Sequence, residues 1–237
     1  MDTGHLKKLP SWLAGAAAQT MATLPPPRRF YLAGKGPVVL VPGAFCTRSV
    51  MNGLGTRMQA LGFGVAVPPS FPYGVSALAN LCRLERAVGV YRSWLRELME
   101  RHGIESAVAA GHSNGGLIVL LELATRQPGA PLPEISKVVT MASPLRGFPA
   151  ARQLAPLIPC CRDIHPGSGV LRIVEPVARK TVTGYLVAGN DFLVPPENQY
   201  ILEEKAVNLE GFQHMDFVVG RTAKIDRTAL VLASILG

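Results

Sequence analysis

A chain of 237 residues, 48% hydrophobic and 17% charged, is sized for one globular domain with a substantial core. No apolar run reaches the roughly 18 residues that a membrane-spanning helix needs. The formal charge of +8 comes from scattered, arginine-rich positions without interleaved aromatics. That pattern argues against nucleic-acid recognition; a solvated basic surface is the first reading, and peripheral contact with anionic lipid or an acidic partner the second.

Residues 1–36 read as an N-terminal extension. Lys7-Lys8 followed by Trp12 to Ala18 faintly resembles a leader, but Pro10 and the short alanine-weak apolar core argue against one. A docking helix stopped by Pro25-Pro26-Pro27 fits equally. The compartment stays open on these residues, with the cytoplasm favoured over secretion.

The regular fold is expected from Pro37 to the end, as one domain over 37–237. Val38-Val39-Leu40-Val41 is a β-branched run suited to a buried strand, and it ends in the loop Pro42-Gly43-Ala44-Phe45. Met51, Leu54, Met58 and Leu61 share one face of a helix over 48–61. Gly64 to Val67 reads as a strand, and Pro68 to Gly74 as a proline-rich loop. Leu81, Leu84, Val88, Tyr91, Leu95 and Leu98 recur three and four apart, the stripe of an amphipathic helix stopped at Gly103.

Ser106 to Ala110 is a short apolar strand. It runs into Gly111-His112-Ser113-Asn114-Gly115-Gly116, and Leu117 to Ala124 then reads as a buried helix. Gly111-x-Ser113-x-Gly115 is the spacing of a sharp strand-to-helix turn. Its glycines let strand and helix approach, leaving the Ser113 hydroxyl exposed at the apex. A plain glycine-rich turn, with the serine only capping the helix, is the alternative.

Ile135 to Ala142 is a further strand, ending at Ser143-Pro144-Leu145-Arg146-Gly147. Residues 148–180 lose any clean period and carry five prolines, reading as an excursion over the carboxyl edge of the sheet, a cap or lid. This stretch holds Cys160-Cys161, with Asp163 and His165 close by. The spacing matches no standard zinc site and adjacent cysteines are poor geometry for a mutual bridge, so buried thiols are expected and no metal. Thr183 to Ala188 is a strand ending at Gly189-Asn190-Asp191. A short helix over 196–202, a strand at Ala206 to Leu209, the loop Glu210 to His214 and an apolar helix over 224–236 complete the chain.

Strands alternating with helices about six times predict an α/β fold, a mostly parallel sheet covered on both faces. Ligand sites in such sheets lie at the carboxyl ends of strands. Ser113, Asp191 and His214 all fall there. A serine hydroxyl needs a base to become a nucleophile, and an imidazole titrates near neutrality; an acid would hold its tautomer. Asp163 and Glu197 are rival acids; Asp216 is too near His214 in sequence to face its ring easily. The backbone N–H groups of Ala44 and Asn114 are the candidate oxyanion donors. Phe45, Leu145, Phe192, Leu193, Val194 and Met215 are the expected apolar walls of a substrate pocket.

Taken together, Val39-Leu40-Val41-Pro42-Gly43, Gly111 to Gly116, Thr140 to Gly147, Gly189-Asn190-Asp191-x-x-Val194-Pro195 and Gly211-x-x-His214 resemble the α/β-hydrolase superfamily, and within it small lipases and esterases. The resemblance covers about residues 37–236 and implies the α/β-hydrolase fold with a Ser113, Asp191 and His214 triad acting on acyl or lipid-like esters. An acyltransferase or thioesterase would use the same triad. A binding protein on the same fold is the reading from another class. Neither dinucleotide glycine spacing nor a P-loop ending is present, so no cofactor is expected.

Overall fold

The β-branched and alanine-rich runs become strands. A computed structural model describes residues 34–69 and 81–237 of the chain. Most of the expected N-terminal extension, and the proline-rich loop from Ser70 onward, lie outside those residues. Six strands pair in parallel in the order β2-β1-β3-β4-β5-β6. They are β1 (Lys35–Val41), β2 (Phe63–Ala66), β3 (Ser106–His112), β4 (Glu134–Met141), β5 (Val182–Ala188) and β6 (Ala206–Leu209).

Helices cover both faces. Asn52–Ala60 (α1) and Thr222–Leu236 (α7) pack together on one. On the other lie Leu84–His102 (α2), Asn114–Thr125 (α3) and Gly169–Thr181 (α6). Side chains of a strand alternate between faces, and the core divides accordingly: Val39 and Val41 join the cluster under α2 and α3, while Val38 and Leu40 join that under α1 and α7. Burial on both sides explains why these strands read as continuous apolar runs.

Most expected elements are present, with shifted ends. The helix expected over 48–61 divides into a 3-10 turn at Arg48–Met51 followed by α1. The amphipathic helix starts at Leu84 rather than Leu81, and Gly103 ends it in the left-handed region at φ 64°. The short helix expected over 196–202 is a 3-10 turn, Pro196–Asn198.

The larger difference lies in 148–180. Residues 169–181 belong to no excursion; they are α6, the crossover helix between β4 and β5, packed on α3. Leu171, Val174 and Ala178, spaced three and four apart, are its buried stripe. Pro176 sits inside this helix without ending it. The excursion itself spans 148–168 and holds two single-turn helices, Ala151–Leu154 (α4) and Cys161–Ile164 (α5).

Both ends of that excursion meet. The Phe148 N–H donates to the Ile164 carbonyl at 2.8 Å. Gly147, at φ 100°, packs so closely that a Cβ there would lie 2.7 Å from the Pro166 nitrogen. Asp163 then ties the excursion to the scaffold. Its buried carboxylate accepts the Leu84 N–H at 2.7 Å and the Arg83 Nε–H at 2.8 Å, so it caps the first turn of α2 from outside the helix.

Candidate active site

β3 delivers its last residue, His112, to the centre of the sheet's carboxyl edge, and α3 begins two residues later. Ser113 between them adopts φ 54°, ψ −126°. That conformation is costly for any residue with a Cβ, and it throws the side chain clear of both elements. Two glycines make room for it. A Cβ on Gly111 would run into the Gly116 backbone. One on Gly43 would lie 2.7 Å from the Ser113 Cβ and 3.2 Å from its Oγ.

His214 comes from the loop after β6, and its Nε2 lies 3.0 Å from the Ser113 Oγ. Its Nδ1 lies 2.7 Å from Asp191 Oδ2, just past β5. The three expected residues, 101 and 23 positions apart along the chain, thus form one continuous hydrogen-bonded line. All three are buried, His214 to 2% exposure and Asp191 to 6%. With Nδ1–H donated to a carboxylate, Nε2 is left to accept the Ser113 hydroxyl proton, the tautomer that lets imidazole act as a base.

The carboxylate is held on both oxygens. Asp191 Oδ1 accepts the N–H groups of Leu193 and Val194, at 2.8 and 3.0 Å. Oδ2 also accepts from Gln199 Nε2 at 3.1 Å. Gln199 is fully buried, takes the Ala188 N–H on its Oε1 at 2.8 Å and donates to the Val194 carbonyl at 2.7 Å. It braces the acid's loop from three sides, and no motif marks it in the sequence. The rival acids are occupied elsewhere: Asp163 caps α2, Asp216 pairs with Lys224 at 2.6 Å, and Glu197 is exposed.

His112 is the other residue that motif reading passes over. Its Nε2–H donates to the His214 carbonyl at 2.8 Å, and the two rings tilt together with centroids 5.1 Å apart. Burial first, then the neighbouring His214, pushes its pKa down to about 3. It is therefore a neutral donor at physiological pH.

Ala44 and Asn114, the candidate oxyanion donors, both line the cavity. The N–H of Asn114 is the first in α3, one that the helix leaves unpaired. The N–H of Ala44 meets no acceptor among the described residues. The next residue, Phe45, is held at φ 58°.

An apolar cavity of about 50 Å³ opens at Ser113 and His214. Of the expected walls, Phe45, Leu193, Val194 and Met215 line it. Leu145 and Phe192 are not among the described lining residues. Leu145 is buried in the core on the α6 side, because Pro144 and the turn ending at Gly147 carry it away from the serine. Phe192 gives way to its neighbours because the Asp191 turn points Leu193 and Val194 inward. The remaining wall comes from the excursion: Phe148, Leu154, Ile158, Cys160, Cys161 and Ile164. Cys46 also lines it, its thiol pushed up to about 12 by burial. No cluster of metal-ligating side chains occurs among the described residues, and no helix there is long and apolar enough to cross a membrane.

No protein-family model matches the chain, and no curated protein matches it in sequence. Its three-dimensional form is similar to many solved structures. Mature lipase BlEst2 of Bacillus licheniformis is 17% identical with a TM-score of 0.63, over 89% of this chain and 95% of that one. Monoacylglycerol lipase of Paleococcus ferrophilus is 21% identical with a TM-score of 0.59, over 87% and 97%. BpoC of Mycobacterium tuberculosis, a putative non-heme bromoperoxidase, is 16% identical with a TM-score of 0.60, over 86% and 94%. The parallel sheet flanked by helices matches these structures, and this chain has the α/β-hydrolase fold.

Proposed function

We propose that the protein is a serine hydrolase that cleaves carboxyl esters of apolar acids. The observation that carries this reading is the unbroken line from Ser113 Oγ through His214 to Asp191, opening on an apolar cavity. In the first step Ser113 Oγ attacks the ester carbonyl while His214 Nε2 takes its proton. Asp191 stabilises the imidazolium that forms, and the Ala44 and Asn114 N–H groups receive the oxyanion. His214 then protonates the leaving alkoxide. A water, deprotonated by the same nitrogen, releases the acid from the acyl-enzyme.

The lining supports the substrate class. Aliphatic and aromatic carbons of Phe45, Ile158, Leu193 and Met215 offer nothing to a sugar or a peptide and favour an acyl chain. A panel of p-nitrophenyl esters from acetate to palmitate, run beside a Ser113→Ala control, tests the reading. Turnover by the wild type alone is the expected result; equal turnover by the serine variant would remove its basis.

A further inference from the structure

Two neighbouring thiols stand in the wall of the same cavity. Cys160 and Cys161 are consecutive, both line the space in front of Ser113, and neither is in a disulfide. They are buried to 1% and 3% exposure, so the cavity is their contact with small solutes. Asn114, the residue after the serine, lines the same cavity and presents a buried amide nitrogen without a hydrogen-bond partner among the described residues.

We propose that Cys160 and Cys161 form an oxidation site that a peroxide entering the cavity converts reversibly to a vicinal disulfide, closing the cavity to substrate. The Cys161 sulfur attacks the O–O bond, giving a sulfenic acid and one water. The Cys160 sulfur then attacks the sulfenyl sulfur, forming the S–S bond and releasing a second water. Two thiols and one hydrogen peroxide thus become one disulfide and two waters.

The neighbouring Cys160 thiol lowers the Cys161 pKa, which favours a thiolate there. Cys160 is raised, first by the Cys161 side chain and then by burial, which suits a resolving thiol. Burial also raises Cys46 and Cys82, which leaves them poorer nucleophiles. Consecutive Cα atoms are about 3.8 Å apart, closer than an ordinary disulfide spans, so the ring is strained and easily reduced. Closing it pulls residues 160 and 161 out of helical geometry. The bonds at risk are those from the Cys160 N–H to the Leu81 carbonyl and from the Cys161 N–H to the Ile158 carbonyl. Ile158 and Ile164, cavity walls on either side, shift with them.

The thiol chemistry stands apart from the proposed hydrolysis; only its effect on turnover rests on that reading. The test treats the full chain with equimolar hydrogen peroxide and maps peptides under non-reducing conditions. The expected product is the 160–161 peptide lighter by two hydrogens, with alkylatable thiols reduced by two and dithiothreitol restoring both. Cys161→Ser is expected to abolish the change. Cys160→Ser is expected to stop at a sulfenic acid that dimedone captures at Cys161. Ester turnover should fall at least fivefold on oxidation and return with the reductant. A pair that stays reduced while Cys46 or Cys82 oxidises overturns the assignment, using the wild type alone. An oxidised pair with unchanged turnover overturns the closure. Absent hydrolysis in untreated protein sinks the esterase reading, whereas the mass signature judges the dithiol by itself.

Discussion

His112 holds the main chain of His214: the ring of the residue before the serine donates its Nε2–H to the carbonyl of the candidate base at 2.8 Å. Serine and imidazole are thus joined twice, once through Ser113 Oγ and once through the neighbouring ring. Replacing His112 by Ala should leave Ser113 and Asp191 in place and let the His214 loop drift. The expected signature is a kcat lower by about 10- to 100-fold with KM little changed, since a misplaced base costs the transition state more than substrate binding. Steady-state kinetics on a short ester checks the split; a rise in KM alone would count against it.

The same ring makes the fold acid-sensitive. An unfolded histidine takes a proton near 6.5, whereas folded His112 resists until about 3. Between those values the unfolded chain binds the extra proton, so stability falls as pH is lowered through the window. At pH 5 the loss from this one group is about 2 kcal/mol. Urea midpoints at pH 7 and pH 5 should differ by more in the wild type than in a His112→Gln variant.

Ser113→Ala should reduce ester turnover by about 10⁴-fold or more and abolish labelling by a fluorophosphonate probe. Ser113→Gly should do the same and also raise the melting temperature. Glycine adopts φ 54°, ψ −126° without the strain that a Cβ brings, a gain of about 1 kcal/mol. Thermal denaturation of the two variants side by side separates the chemical role of the residue from its conformational cost.

Gln199→Leu should weaken both fold and activity. It strips a partner from the Ala188 N–H, the Val194 carbonyl and Asp191 Oδ2 together. Buried groups left unpaired cost about 1–3 kcal/mol. The expected result is a loss in that range by chemical denaturation, with kcat lower by about tenfold as the acid loosens. Gln199→Glu should be worse, because it sets a second carboxylate against Asp191.

Asp163→Ala should free the excursion from α2. It deletes the cap on Leu84 and the pairing with Arg83, whose side chain is half exposed, so the cost is about 2 kcal/mol. Selectivity among acyl chains should broaden more than turnover of the shortest ester falls. A chain-length profile of the variant checks this.

The strand-to-helix turn at Ser113 was legible because its geometry needs glycine at fixed offsets, and Gly111 and Gly43 leave that need in the sequence. The order Ser113, Asp191, His214 was legible because parallel strands bring their carboxyl ends to one edge. Gln199 left no trace: a glutamine in a proline-flanked 3-10 turn looks like surface until the loop folds over it. Helix α6 was obscured by Pro176 and by the irregular stretch before it, although its stripe at Leu171, Val174 and Ala178 is regular. The cavity walls were only half legible. Phe45 and Met215 flank motif residues, whereas Phe148, Leu154 and Ile158 come from a segment whose fold follows no period.

Because the two ends of that segment touch, at Phe148 against Ile164 and Gly147 against Pro166, it is a closed detour in the main chain rather than a bridge between β4 and α6. A bypass of a few residues could join the flanking elements without moving either. Evolution or an engineer can therefore exchange this loop as a cassette, reshaping the cavity wall over an unaltered Ser113, His214 and Asp191.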